Sequence, residues 1–297
     1  MSLRAVLRFL TILPAPAARG GDAGGRTRLA APAAEPRTEH APADMKTVLF
    51  MPEGSAPDEE MRLIGRSMLY FPLAGLVIGL LLAVLYILFR AALPPAVTGV
   101  LLVAALAVIT GAHHIDGVMD TCDALVAGKT RAGRLEIMAD TRVGAFGITG
   151  ACLLLLTKYV CLSAALGLSA LLTFPLLSRW AITGLILIFP PAKESGSFYS
   201  LKGGAAWSGF IGATVIALAV TIVINGLIIG PLLMTGLFGL LYCVGLLFRR
   251  LFGGLTGDCC GALIEAGEVV TLILSIALLR LLPYISSYNL FKIPFPF

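Results

Sequence analysis

From residue 68 onward the chain is a succession of apolar stretches separated by short polar connections. Runs at 69–89, 146–166, 169–189, 208–227 and 261–279 approach or exceed the roughly 20 residues with which an α-helix crosses a hydrocarbon layer about 30 Å thick. Their apolar positions are continuous. A membrane barrel would instead show a period of two, and an open strand would leave backbone groups unpaired in lipid, so the pattern points to helices. Spans are predicted at about 68–89, 94–111, 145–167, 169–190, 207–229, 232–248 and 261–282. The expected fold class is all-α: a polytopic integral membrane helical bundle of about seven transmembrane helices plus interfacial helices.

Ahead of the spans the pattern changes. Residues 3–13 put Leu3, Val6, Leu7 and Leu10 on one stripe and Arg4 and Arg8 on another, as in a helix lying in the membrane interface. The Ala-Pro-Ala at 15–17 would suit a signal-peptide cleavage site, but the preceding apolar stretch is short and broken by Arg8, so the segment is expected to be retained. Residues 15–60 are rich in Ala, Pro, Gly and charge, with one apolar island at 48–51, too little to offset the entropy of ordering. The expected organisation is therefore one membrane-embedded domain, 1–297. It comprises an interfacial helix at 1–14, a flexible cytosolic insert at 15–60 and a helical bundle at 61–297.

Composition sharpens this reading. Hydrophobic residues make up 58% of the chain and charged residues 13%, about half the share usual in soluble proteins. A net charge of +5 would suit a nucleic-acid partner, but Lys and Arg are scattered at span ends, so no nucleic acid is expected and the lipid bilayer is. The basic residues report orientation instead. With the N-terminal segment in the cytosol, the connections carrying Lys129, Arg131, Arg134 and Arg142, then Lys193 and Lys202, then Arg249 and Arg250 all fall on that side, whereas the opposite connections keep only Arg90. The six cysteines form no C-x-x-C pair and read as small apolar residues.

Against this background the acids stand out. Eight of seventeen precede residue 61, where they are solvated. In "GAHHIDGVMDTCDAL", residues 111–125, Asp116, Asp120 and Asp123 are spaced i, i+4, i+7 and share one helical stripe. Three like charges at the membrane end of an apolar helix call for a cation, and oxygen ligands of this kind suit Mg2+, which keeps waters and binds substrate phosphates. A solvated acidic face is the alternative. Gly117 would let a substrate or a second helix approach closely. By helical angle His113 lies on the stripe and His114 points away.

In "RAGRLEIMADTRVGAFG", residues 131–147, Glu136 and Asp140 are again i, i+4, on an expected short interfacial amphipathic helix with Arg131, Arg134 and Arg142 interleaved. Such arginines could hold phosphate oxygens bidentately and the acids a second metal or water, or the charges could simply pair with one another. In "GGLTGDCCGALIEAGEVV", residues 253–270, Asp258 opens the last span and Glu265 and Glu268 follow inside it. Intramembrane acids need a partner or a cavity, and Lys158 and Arg179, the cations inside other spans, would supply structural pairs.

These three motifs, with the opening "FLTILP" and the first span "YFPLAGLVIG", resemble in order and spacing the cobalamin synthase family, the adenosylcobinamide-GDP ribazoletransferases. The resemblance covers nearly the whole chain apart from 15–60 and the loop at 191–206. It implies a magnesium-dependent integral membrane enzyme of prokaryotes, whose active site the loop charges put on the cytoplasmic side. The substrates it implies are adenosylcobinamide-GDP and α-ribazole or its 5′-phosphate, and the products adenosylcobalamin or its phosphate and GMP. It carries over His114, Asp116, Gly117, Asp120 and Asp123 as the principal motif. Together with the residue chemistry, it assigns Mg2+ to Asp116, Asp120 and Asp123, catalytic roles to Asp120, Asp258 and His114, and substrate contacts to Arg142, Arg249, Arg250, Gly117, Glu136 and Asp140. The family's basic, glycine-rich loop after the fourth span departs to "PPAKESGSFYSLKGGAA", where Lys193 and Lys202 could substitute.

Two other classes are weighed. A CDP-alcohol phosphotransferase would need an acid three residues before Asp116, where His113 stands, and a G-x3-D-x3-D tail that does not follow Asp123. A cation-coupled transporter would gather its acids near mid-membrane between repeated halves, and no repeat is visible. A homo-oligomer is compatible with the pattern.

Overall fold

A computed structural model describes residues 57–164 and 167–281. The expected interfacial helix at 1–14 and most of the insert lie outside the described residues. The first described helix, α1, spans Pro57–Arg66, so the last four residues of the stretch expected to be flexible are helical. A 3-10 turn, Met68–Tyr70, leads into α2, Phe71–Arg90. There follow α3, Pro95–Ile109; α4, His113–Ala127; α5, Arg131–Ile137; and α6, Ala145–Ser163. The chain continues through α7, Leu168–Ile188; α8, Ser197–Gly204; α9, Trp207–Phe252; and α10, Gly257–Leu281. Among the described residues the non-helical pairing is a single parallel bridge, Pro191 with Leu255.

The all-α polytopic architecture is as expected. Met68–Arg90, Ala145–Ser163, Leu168–Ile188, Trp207–Phe252 and Gly257–Arg280 are each long and apolar enough to cross a membrane, and Pro95–Ile109 with His113–Ala127 forms a bent pair that adds a sixth. The 46-residue α9 supplies two of the expected spans. At Gly226 its backbone turns to φ 85°, a left-handed conformation that glycine adopts without steric cost. Thr221 Oγ1 then lies 3.4 Å from Met234 Sδ, and the Phe210 and Phe238 rings stand 6.2 Å apart. Thirteen residues of straight helix would span about 20 Å, so residues 207–225 and 227–252 are antiparallel arms of a hairpin.

The second expected span differs. The apolar pattern suggested 94–111, but α3 has 15 residues, about 22 Å of helix, and stops short of a full crossing. Thr110 turns its hydroxyl back to Leu106 O at 2.9 Å. Gly111 and Ala112 both take positive φ, and α4 leaves at 92° to α3. The acidic motif therefore starts a separate helix.

The centre is α7, buried over most of its length and packed on α2, α9 and α10. Gly75 and Gly79 of α2 form a small-x-x-x-small face, and a Cβ on Gly75 would meet Pro175 O at 2.2 Å, so the two backbones are in contact. Trp180 joins Phe210 and Phe238 of the α9 hairpin and donates its Nε1–H to Thr214 Oγ1 at 2.9 Å. The outward faces of α2 and α6, with Leu80, Val84, Leu88, Leu153, Leu156 and Val160, are exposed and apolar, as a lipid-facing surface requires.

The connections bearing Lys and Arg meet at one end. Ser200 of α8 donates to Asp58 of α1 at 2.6 Å, and Arg131 donates to Ala192 O at 2.9 Å. Leu255 N–H donates to Pro190 O at 2.9 Å, and a Cβ on Gly117 would meet Asp258 O at 2.7 Å. The charge pattern required this clustering.

Candidate active site

The acidic stripe is presented by α4, whose buried face carries His114, Gly117, Val118, Thr121 and Ala124. That face packs on α10. Gly117 sits against the backbone of Asp258, and Gly261 lies against the His114 backbone, with an ideal Cβ there 3.2 Å from His114 Cα. Two glycines at the crossing thus let the helices approach until Asp258, on the first turn of α10, lies beside the Asp116–Asp120 stripe. Thr256 caps α10, accepting from Cys259 N–H at 3.1 Å. Asp116, Asp120 and Asp258 are all partly buried.

Asp123 has a different role from the one its spacing suggested. Its Oδ2 accepts from Gly144 N–H at 2.7 Å and its Oδ1 from Gly147 N–H at 2.8 Å, so it caps α6 from a neighbouring helix. The expected three-carboxylate magnesium set is therefore not assembled. Among the described residues no three His, Cys, Asp or Glu side chains converge as a metal cage. The remaining donors still fit Mg2+ in its phosphate-bound form, in which one or two carboxylates hold the ion together with waters and substrate phosphates. Asp116, Asp120 and Asp258 offer hard oxygens of that kind on two touching helices.

The second acidic pair is also rearranged. α5 ends at Ile137, so Glu136 and Asp140 do not share a helical face; Glu136 is exposed and Asp140 lies in the following turn. Asp140 accepts the Arg142 backbone N–H at 3.0 Å and its Nη2–H at 2.7 Å. Arg142 holds the Asp140 carboxyl down to about 2. In this arrangement the pair is self-satisfied and does not form the expected second metal position. Arg249 and Arg250 are exposed at the end of α9, on the same side as Asp258.

Lys202, considered for nucleotide contacts, is drawn under α7. Its ammonium donates to the carbonyls of Ile186, Leu187 and Phe189 at 2.7, 3.0 and 2.7 Å, closing that helix, and partial burial lowers its pKa. Lys193 stays exposed.

Beneath the stripe lies a charged group inside the bundle. Lys158 of α6 reaches Glu265 Oε2 at 2.5 Å and also Glu268 Oε2, and Arg179 of α7 pairs with Glu268 Oε1. These four side chains are almost fully buried. The structural pairing weighed for Glu265 and Glu268 is realised, and it engages the acids a transporter would need as an open pathway. His114, not His113, is the imidazole turned inward: its Nδ1 stands 4.0 Å from Glu265 Oε1, while His113 is exposed. Sequence reasoning missed the α6 amides that hold Asp123, although the glycines of "VGAFG" were a signal, and missed Thr256 as a cap.

The family model described as cobalamin-5-phosphate synthase matches residues 43–276, most of the chain and all of this acidic end. The chain belongs to that family. A Roseiflexus protein named adenosylcobinamide-GDP ribazoletransferase is 36% identical over 231 residues, covering 77% of this chain and 85% of its own length. A Geotalea daltonii protein of the same name is 38% identical over 72% of this chain and 87% of its own, and one from Desulfitobacterium hafniense is 37% identical over 70% and 85%. No solved structure matches the chain.

Proposed function

We propose that the chain is an adenosylcobinamide-GDP ribazoletransferase. It joins adenosylcobinamide-GDP to α-ribazole or its 5′-phosphate, releasing GMP, at the cytoplasmic face of a prokaryotic cell membrane. The observation that supports the assignment of the site is the α4–α10 contact at Gly117, which brings the Asp258 backbone against the helix that carries Asp116 and Asp120 in a chain of this family.

The reaction is displacement at the phosphorus nearest the cobinamide. A ribazole hydroxyl oxygen forms the new P–O bond, the P–O bond to GMP breaks, and the hydroxyl proton passes to a carboxylate. Asp258, on the first turn of α10 against Gly117 of the acidic helix, is the acceptor. Asp116 and Asp120 are the residues that would hold Mg2+, which when bound would neutralise charge on the phosphate oxygens. Arg249 and Arg250, on flexible stems at the rim, contact the outgoing nucleotide phosphate. Arg142 can join them only by leaving Asp140.

The test is turnover. Membranes containing the protein, given magnesium, adenosylcobinamide-GDP and α-ribazole, release GMP and form the cobamide; well-folded protein that yields neither product refutes the reading. Orientation is tested separately in a background without reactive native cysteines. Lys129→Cys is labelled from the cytoplasmic side and Leu227→Cys from the other, and the reverse pattern inverts the topology.

A further inference from the structure

The buried charged group is not symmetric in its use of oxygens. Glu268 has both carboxylate oxygens engaged, one by Lys158 and one by Arg179. Glu265 gives Oε2 to Lys158 and keeps Oε1 directed toward His114 Nδ1, 4.0 Å away. That nitrogen is buried and has no hydrogen-bond partner. A buried ring nitrogen in that condition is costly, and 4.0 Å is one small side-chain rotation, or one bridging water, from a bond. The His114 side chain still keeps 11% exposure, which lies on atoms other than the sealed Nδ1.

We propose that Glu265 is a positioning residue for His114. It accepts the Nδ1–H, directly or through one water, and so fixes the neutral tautomer whose Nε2 carries the lone pair. His114 is two residues from Asp116 and its backbone abuts Gly261 of α10, so the oriented ring borders the α4–α10 site, where Nε2 accepts a hydrogen bond from a substrate hydroxyl. Lys158 fixes the Glu265 carboxylate, and Glu268 with Arg179 anchors Lys158. The two Glu, one Lys and one Arg balance in charge, so the group can stay ionised inside the bundle while spending one oxygen on an imidazole.

The proposal rests on the transferase reading, and the experiment separates the two. GMP release is measured in membranes for the wild type, Glu265→Gln, His114→Asn and the double variant. Glu265→Gln is expected to lower kcat at least tenfold with the KM for adenosylcobinamide-GDP within about twofold, and the double variant to be no slower than His114→Asn alone. Multiplying losses, or full activity of Glu265→Gln, overturn the positioning role while wild-type turnover upholds the transferase. Where Glu265→Gln does not fold, the wild type still decides. The chain has three histidines, so the 15N spectrum of histidine-labelled protein, assigned against His114→Asn, reports the His114 tautomer. A proton on Nδ1 supports the inference, and a proton on Nε2 with a bare Nδ1 overturns it.

Discussion

Asp123→Asn separates a helix cap from a metal ligand. Asp123 accepts two backbone N–H groups at 2.7 and 2.8 Å from the first turn of α6, in a setting where it is 8% exposed. Asparagine offers one carbonyl oxygen, so one amide keeps its partner and the other faces an NH2 donor. Losing one charge-assisted bond of this kind costs about 2 kcal/mol, and losing both in Asp123→Ala costs about 4 kcal/mol. For a chain of this size about 2 kcal/mol lowers Tm by roughly 4–8 °C. The assay is thermal loss of monodisperse protein in detergent, followed by GMP release per folded molecule. Asp123→Asn should lose those degrees and keep turnover within several-fold of the wild type. Asp120→Asn should keep its Tm and lose turnover by about 100-fold or more. An Asp123→Asn protein with wild-type Tm, or one as inactive as Asp120→Asn, would refute the capping role.

Gly117→Ala places a Cβ 2.7 Å from Asp258 O, a backbone atom that cannot swing aside, so α4 and α10 must separate; turnover should fall more than tenfold, while Gly239→Ala, with nothing within 4 Å, changes neither turnover nor Tm. Lys202→Met strips three α7 carbonyls of their donor and should cost about 2 kcal/mol of stability with KM for the nucleotide substrate unchanged; a raised KM at wild-type Tm would return Lys202 to substrate binding. For Asp140, whose carboxyl Arg142 holds at about 2, the folded value lies below the unfolded one, so the pairing acts above about pH 4 and fades as pH falls toward 2. Carboxyl 13C shifts should show that low midpoint in the wild type and a return to about 4 in Arg142→Ala; an ordinary midpoint in the wild type means the pair does not form.

What was legible in the sequence follows from what spacing encodes. Continuous apolar runs specify spanning helices because lipid leaves the backbone no other solution, and the ends at Arg90 and Pro95 fell within a residue of where charge and Pro marked them, whereas α9 breaks at Gly226 and carries Pro231 inside its second arm. The end of α3 was legible to within two residues, but its sharp turn into α4 was not, because nothing in an alanine at 112 announces a left-handed φ. The buried pairs of Glu265 and Glu268 were legible for a simple reason: Lys158 and Arg179 were the cations inside other spans. Asp123 was not. An i, i+7 spacing fixes which face of α4 a carboxylate occupies, but not that the N-terminus of α6, 21 residues on, arrives at that face with open amides. Glu136 and Asp140 failed similarly, because α5 stops after seven residues and periodicity has no meaning past its end.

The misread residue explains how the site is held. α6 touches both helices that carry the acids: Asp123 of α4 caps its first turn, and Lys158, further along, ties it to Glu265 and Glu268 of α10. The angle between α4 and α10, and with it the placement of Asp258 against Gly117, is therefore set by a third helix that contributes no acid of its own. Loosening either tie should disturb the same crossing. The two ties differ in kind, since removing Asp123 frees amides at a partly open helix end, whereas removing Lys158 leaves Glu265 with an uncompensated charge inside the bundle and Glu268 with Arg179 alone. Lys158→Met should for that reason be the more damaging substitution to folding, even though Lys158 lies farther from the acidic stripe.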